Sequence, residues 1–201
     1  MTHAKQAFFD GIAAKWDSWF DLDELNQRLL TGLRDFEIQP GESVMDLGCG
    51  TGNLTRALLA LLSDKGRVVA VDLSPEMLHI AKTKITDSRA AFLLAQVCDL
   101  PLENAVVDRV LCYSAWPHFP DPVKALSELH HILKPNGMLH IWHLDGREKI
   151  NQIHHDAGEA VSHDILLPAE ELGELMEKHG FKIVRSEDEP DHYLLSAIRL
   201  S

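Results

Sequence analysis

One stretch constrains this chain more than any other: Val44-Met-Asp46-Leu-Gly48-Cys-Gly50-Thr-Gly52-Asn-Leu54, a short apolar run that ends in an acid and three alternating glycines. An apolar run halted by glycine marks a strand entering a tight turn, and the apolar periodicity resuming at Leu54 marks a helix. The alternation continues downstream. Strands are expected over residues 43–47, 67–71, 91–95, 106–112 and 138–142, with helices over 54–62, 75–85 and 122–133. Ser74-Pro75 supplies an N-cap with proline at the first helical position, and Lys134-Pro-Asn-Gly137 supplies a stop and a turn. Strands and helices alternating at this spacing build right-handed βαβ units around a mainly parallel sheet.

After Trp142 the rhythm lapses over residues 143–167, then a helix over 168–179 and strands over 182–186 and 193–200 follow. The short turn at Glu189-Pro190-Asp191 makes those last two strands antiparallel. The expected fold class is α/β: a doubly wound, seven-stranded, mainly parallel sheet with an antiparallel last strand. Amphipathic helices over 4–20 and 21–36 precede it as an N-terminal helical lid. A length of 201 residues suits one domain. Residues 1–201 are expected to form it, with 1–36 as lid and 143–167 as an active-site insertion.

Glycines at the end of a first parallel strand let a ligand approach the backbone at the sheet's carboxyl edge. The spacing here is GxGxG, whereas a dinucleotide fingerprint, GxGxxG, would place glycine at Asn53. Asp46 would repel a pyrophosphate but attract an ammonium or sulfonium. Asp72, at the tip of the second strand, is placed to accept two hydrogen bonds from ribose hydroxyls. Asp99, just past the third strand, is placed for an adenine amine. A glycine loop with strand-end acids in register selects a cationic nucleoside ligand without phosphates.

These residues carry a resemblance. Val44–Leu54, Val68-Val-Ala-Val-Asp72-Leu-Ser-Pro-Glu-Met77, Asp99-Leu-Pro-Leu, Asp108-Arg-Val-Leu and Leu133-Lys-Pro-Asn-Gly137 are similar to the class I S-adenosylmethionine-dependent methyltransferases, in the small-molecule group that includes the ubiquinone/menaquinone C-methyltransferases. Phe9-Asp-Gly-Ile-Ala13 with Trp16-Asp17 resembles that group's N-terminal segment. The resemblance implies S-adenosylmethionine as cofactor, with Asp46, Gly48 and Gly50 on its methionine portion, Asp72 and Leu73 on the ribose and adenine, Asp99 and Leu100 on the adenine edge, and Ser114 near the carboxylate or methyl. Where many members carry tyrosine before aspartate, this chain has Trp16, so a phenol hydrogen bond gives way to packing or an indole N–H.

Charge and composition exclude other classes. The formal charge of -12, without any Lys/Arg cluster, argues against nucleic acid and favours cationic ligands. No apolar run is long enough to span a membrane, and the first residues are charged and amphipathic rather than a secretory leader. Cys49, Cys98 and Cys112 form no CxxC pair. A cytoplasmic enzyme acting on a small-molecule acceptor is expected.

Histidine is the compositional outlier, with seven of the twelve lying between His130 and His163. Asp145 is expected to cap a helix starting near Arg147, with Arg147, Asn151 and His155 on one face. The cluster fits a general base, a recognition face or a metal site, and equally a solvated polar helix. Acid–base or recognition work is carried forward, without a metal: His143, His155 and His118 are the candidates to take a proton from the acceptor. Two rival readings stand beside this one, a non-catalytic S-adenosylmethionine-binding module and a nicotinamide-dependent oxidoreductase.

Overall fold

A computed structural model describes residues 2–201. Helices α1 (Thr2–Trp16) and α2 (Leu22–Arg34), joined by a 3-10 turn, precede the alternating region. There follow β1 (Ser43–Leu47), α3 (Asn53–Leu61), β2 (Arg67–Asp72), α4 (Pro75–Lys84), β3 (Ala90–Leu94), β4 (Val107–Tyr113), α5 (Pro122–Ile132) and β5 (Leu133–His143). The chain continues through α6 (Arg147–Asp156), α7 (Ala169–Lys178), β6 (Phe181–Glu189) and β7 (His192–Arg199).

The strands form one sheet in the order β3-β2-β1-β4-β5-β7-β6. The first five pair parallel, and β7 runs antiparallel between β5 and β6. This is the doubly wound sheet with an N-terminal helical lid that the sequence pattern leads one to expect. The order reverses between β1 and β4, and the crevice at their carboxyl ends is the topological switch point where such sheets bind ligands.

Alternation along each strand fills two cores. Val44 belongs to one core with Leu29, Leu33 and Leu58 from α2 and α3, while its neighbour Met45 belongs to the other, which holds Leu126 and Leu129 from α5 and Leu172 and Met176 from α7. Helix α2 begins where the Asp21 carboxylate accepts from the Asp23 and Glu24 N–H groups, and it buries the stripe Leu25, Leu29, Leu33. Gly32 lets this helix close on the sheet, because a Cβ there would fall 2.4 Å from the Trp142 ring. Helix α4 starts as read, with Ser74 Oγ accepting from the Met77 N–H and Pro75 behind it.

Two local readings change. The expected turn at residues 134–137 lies within β5, which already pairs at Leu133 with Val107; the turn chemistry survives as a register shift, with Asn136 at φ 63°. Asp145 does not cap α6. Gly146 occupies the N-cap position, and the Asp145 carboxylate instead takes Lys149 at 2.7 Å.

Candidate cofactor and acceptor site

The loop after β1 is held open by left-handed glycines: φ is +76° at Gly48, +51° at Gly50 and +86° at Gly52. Gly48 is also closely packed, since a Cβ on it would lie 2.4 Å from Ala115 Cβ in the loop after β4. The loop is anchored from β2. The Gly48 and Cys49 N–H groups donate to the Val71 carbonyl at 2.8 and 2.9 Å, and the Gly50 N–H donates to Asp72 Oδ2 at 2.8 Å. Asp72 Oδ1 accepts from the Ser74 N–H at 2.9 Å. Burial raises the Asp72 carboxyl above its ordinary range, against these N–H donors. A carboxylate has about four acceptor positions, and the two backbone donors leave others toward the cavity.

That cavity is bounded by Gly48, Gly50, Asp72, Leu73, Gln96 and Ser114, with Phe9 and Trp16 from α1 over it. Ser114 follows β4 in the left-handed region at φ 52°, a conformation that costs a non-glycine residue and that clusters at functional sites. Trp16 Nε1 lies 3.9 Å from where a Cβ on Gly50 would be, so its indole N–H stands over the loop.

A second cavity adjoins the first and shares Phe9, Trp16, Gly48, Gly50, Ser114 and His118 with it. Asp46, Tyr113, His143 and His154 also face this space, amid Phe8, Ile12, Leu25, Ile150 and Val161. Burial pushes the Asp46 carboxyl up to about 7, opposed by the hydrogen bond from Thr55 Oγ1 and reinforced by the Asp72 charge. Burial pulls His143 down to about 3, with the His118 and His154 charges adding to the fall, so its imidazole is neutral. Neither His143 nitrogen has a partner among the described residues, nor does the nearby Tyr193 hydroxyl.

The lid is tied down by residues that pattern reading passed over. Asp10 Oδ1 accepts from Ser74 Oγ at 2.5 Å and from the Glu76 N–H at 3.3 Å. Asp17 accepts from Thr51 Oγ1 at 2.6 Å, Asn53 at 3.1 Å and Lys84 at 2.6 Å. Lys5 pairs with Asp164, which also meets His118 Nδ1 at 2.7 Å.

The structure thus gathers Trp16, Asp46, Gly48, Gly50, Asp72, Leu73, Ser114, His118 and His143 around the paired cavities. Three expected site residues lie elsewhere. Leu100 is buried in the core at 7% exposure, and Asp99 is exposed beside a neighbouring groove. The reason is that β3 ends at Leu94 and the chain hooks back through a Gln96–Asp99 bridge, which brings Ala95, Gln96 and Val97 to the cavity instead. His155 points to solvent: its side chain is 76% exposed and meets only Asp156. On α6 the inward position is His154, one residue earlier, which shares the buried stripe with Ile150. Arg147 and Asn151 serve structure, Arg147 pairing with Asp188 at 2.8 Å and Asn151 bonding the Leu166 backbone at 2.8 and 3.1 Å. No three His, Cys, Asp or Glu side chains among the described residues converge as metal ligands.

Comparison with known proteins agrees with this geometry. The profile of the family described as "Methyltransferase domain" matches residues 45–141. A ubiquinone/menaquinone biosynthesis C-methyltransferase of Coxiella burnetii is 29% identical over 140 residues, covering 65% of this chain and 55% of that protein. An uncharacterized methyltransferase of Mycobacterium bovis is 42% identical over 96 residues, 48% of this chain and 37% of that one. The chain therefore spans about half or less of the length of these curated relatives. Among solved structures, a SAM-dependent methyltransferase from Aquifex aeolicus superposes with a TM-score of 0.73 at 22% identity, covering 95% of this chain and 98% of that one. Glycine loop, strand order and relatives converge: residues 45–141 match the methyltransferase-domain family, and the chain shares the fold of, and is similar to, the class I S-adenosylmethionine-dependent methyltransferases.

Proposed function

We propose that the protein transfers a methyl group from S-adenosylmethionine to a small-molecule acceptor. The observation that carries this reading is the pair of cavities meeting at Gly48, Gly50, Trp16, Ser114 and His118. One is bordered by a ribose-type carboxylate, Asp72, and the other is apolar with histidines. When bound, the cofactor supplies an activated methyl on a sulfonium whose departure as a thioether needs no acid.

The protein's part is alignment and exclusion of water. Holding donor and acceptor in line at the shared wall contributes several kcal/mol, on the order set by effective molarities. The lid helix, fastened at Asp10, Asp17 and Lys5, keeps water from the reacting atoms. In this reading Asp72 holds the ribose, Leu73, Gln96 and Val97 border the adenine, and Asp46, Gly48 and Gly50 face the methionine portion. Trp16 covers the loop and Ser114 is among the residues shared by both cavities. A cationic group beside Asp46 favours its ionised form, so cofactor binding near neutral pH releases a proton. His118 and His143 remain the candidates for work on the acceptor.

The charge of -12 and the lack of a basic cluster support an acceptor other than nucleic acid. No helix among the described residues is long and apolar enough to cross a membrane. The three buried free cysteines fit a reducing compartment such as the cytoplasm. Calorimetry with S-adenosylhomocysteine tests the reading. Micromolar binding, with a heat that depends on the buffer's ionisation enthalpy, is expected; no binding, or tight NAD binding in its place, overturns it. Product formation in an acceptor screen separates an enzyme from a binding module.

A further inference from the structure

His118 stands at the wall common to both cavities, and its surroundings are built rather than incidental. Its Nδ1 lies 2.7 Å from Asp164 Oδ2, on a carboxylate only 9% exposed. Lys5 of the lid takes the other carboxylate oxygen and also donates to the His118 carbonyl at 2.9 Å. Phe9 meets the imidazole edge-on with centroids 5.0 Å apart, and His154 lies at 4.6 Å. An ionised carboxylate only accepts, so neutral His118 carries its proton on Nδ1 and presents the Nε2 lone pair as a base. Burial alone would raise the Asp164 carboxyl, yet hydrogen bonds from His118 and Lys5 bring it below its ordinary value, which keeps it an acceptor.

The second cavity adds a chemical restriction. Among the described residues no lysine or arginine lines it, so an anionic acceptor would find no counter-ion in a largely apolar space; of its two carboxylates, Asp145 is paired with Lys149 and Asp46 faces the methionine portion in the proposed reading. His143 and His154 face it with both imidazoles biased by burial toward the neutral form.

We propose that this cavity takes a neutral, largely apolar acceptor whose hydroxyl or thiol proton passes to His118 Nε2, with Asp164 as the positioning residue and Lys5 joining that carboxylate to the lid. This rests on the methyltransferase reading and names the acceptor class it left open. The acceptor's O–H or S–H bond breaks as its oxygen or sulfur bonds the methyl carbon. The old methyl–sulfur bond breaks with its electron pair left on the sulfonium sulfur, which becomes a neutral thioether. The proton ends on His118 as an imidazolium facing Asp164 and leaves later to solvent. Because Lys5 and His118 share one carboxylate, seating the lid and orienting the base are one event.

Two measurements on the whole protein with S-adenosylhomocysteine bound test this. Long-range nitrogen–proton spectra of nitrogen-15 histidine should show neutral His118 protonated at Nδ1, and Asp164→Asn should mix the tautomers, since an amide both donates and accepts. The second probe is 4-nitrophenol, whose absorbance reports its ionisation. Bound to wild type it should ionise at lower pH than free in solution, and His118→Gln should abolish that shift. Among the charged and titratable groups near His118 are Lys5, Asp164, His143 and His154, so the shift is read against a control at a histidine outside the cavities, His155→Gln, which should retain it. Both wild-type readings stand even if a variant fails to fold. A wild-type Nε2–H tautomer, an Asp164→Asn spectrum identical to wild type, or absence of any bound 4-nitrophenol up to its solubility limit overturns the proposal. If S-adenosylhomocysteine itself fails to bind, the methyltransferase reading falls instead.

Discussion

The two halves of the cleft are made in different ways. On the cofactor side the contacts come from two short contiguous runs, residues 46–52 and 72–74, and the backbone does most of the work: left-handed glycines, and N–H groups aimed at the Val71 carbonyl and the Asp72 carboxylate. On the side of the second cavity His118, His143 and His154 arrive from separate segments, with Lys5 and Asp164 behind His118, and they meet mainly through side chains. A site made of backbone tolerates little change in its loop, because φ and close packing are set by the fold. A site assembled from side chains on connecting segments is free to vary while the scaffold stays fixed.

That contrast can be tested by substitution, from the largest expected effect to the smallest. The Asp46 carboxyl, raised by burial to about 7, contributes stability that is fully present below the ordinary carboxylate range. That contribution is lost as pH rises from about 4 to about 7 and does not return above it. Asp46→Asn removes the titration, so denaturant unfolding should show the variant more stable than wild type at pH 8, by up to about 4 kcal/mol, and nearly equal at pH 4. Equal stability at both pH values would mean that burial does not hold this carboxyl neutral. Asp72→Ala should weaken S-adenosylhomocysteine binding by about 1.5–3 kcal/mol in calorimetry, the scale of charge-assisted hydrogen bonds. A change within a few tenths of a kcal/mol would remove Asp72 from the ribose and blur the distinction between the halves. Trp16→Phe keeps the ring and deletes the indole N–H, so a loss of about 0.5–1.5 kcal/mol in the same measurement assigns that N–H a partner on the cofactor. His155→Ala should shift stability by no more than about 0.5 kcal/mol and leave cofactor affinity and turnover unchanged, while His154→Ala, one position away, costs stability. A turnover defect in His155→Ala would reverse the assignment of the inward face of α6.

What the sequence revealed and what it concealed divide along the same line. The glycine loop, Asp72 and the succession of strands and helices were legible because each is local: a strand-to-helix turn needs positive φ within a few residues, and hydrophobic periodicity reports which elements face a core. Asp99 and Leu100 fall outside the cavity's lining because strand ends are poorly marked, and a hook of a few residues after Leu94 brings Gln96 and Val97 to it. His155 was mistaken for His154 through helical phase, since one residue turns a side chain by about 100°. The signal was available: Ile150 marks the buried stripe, and four residues on lies His154. Asp164 and Lys5 left no such trace. Asp164 sits in an aperiodic connection, Lys5 on a lid helix, and their meeting is decided by tertiary packing.

The placement of β7 between β5 and β6 has a consequence for synthesis on the ribosome. Domains form as the chain emerges from its N-terminus, and an unpaired strand edge is an open template for aggregation. Here β5 and β6 emerge with no partner for each other, and the strand that joins them, with Tyr193 through Ala197 buried, is the last of the sheet to appear. Until residue 199 has cleared the exit tunnel, the edge of β5 that carries His143 stays unpaired, so the nascent chain holds its glycine loop long before the strand behind the second cavity is fixed. Stalling translation before residue 192 should leave β5 open to proteolysis and chaperone capture, whereas release past 199 should protect it.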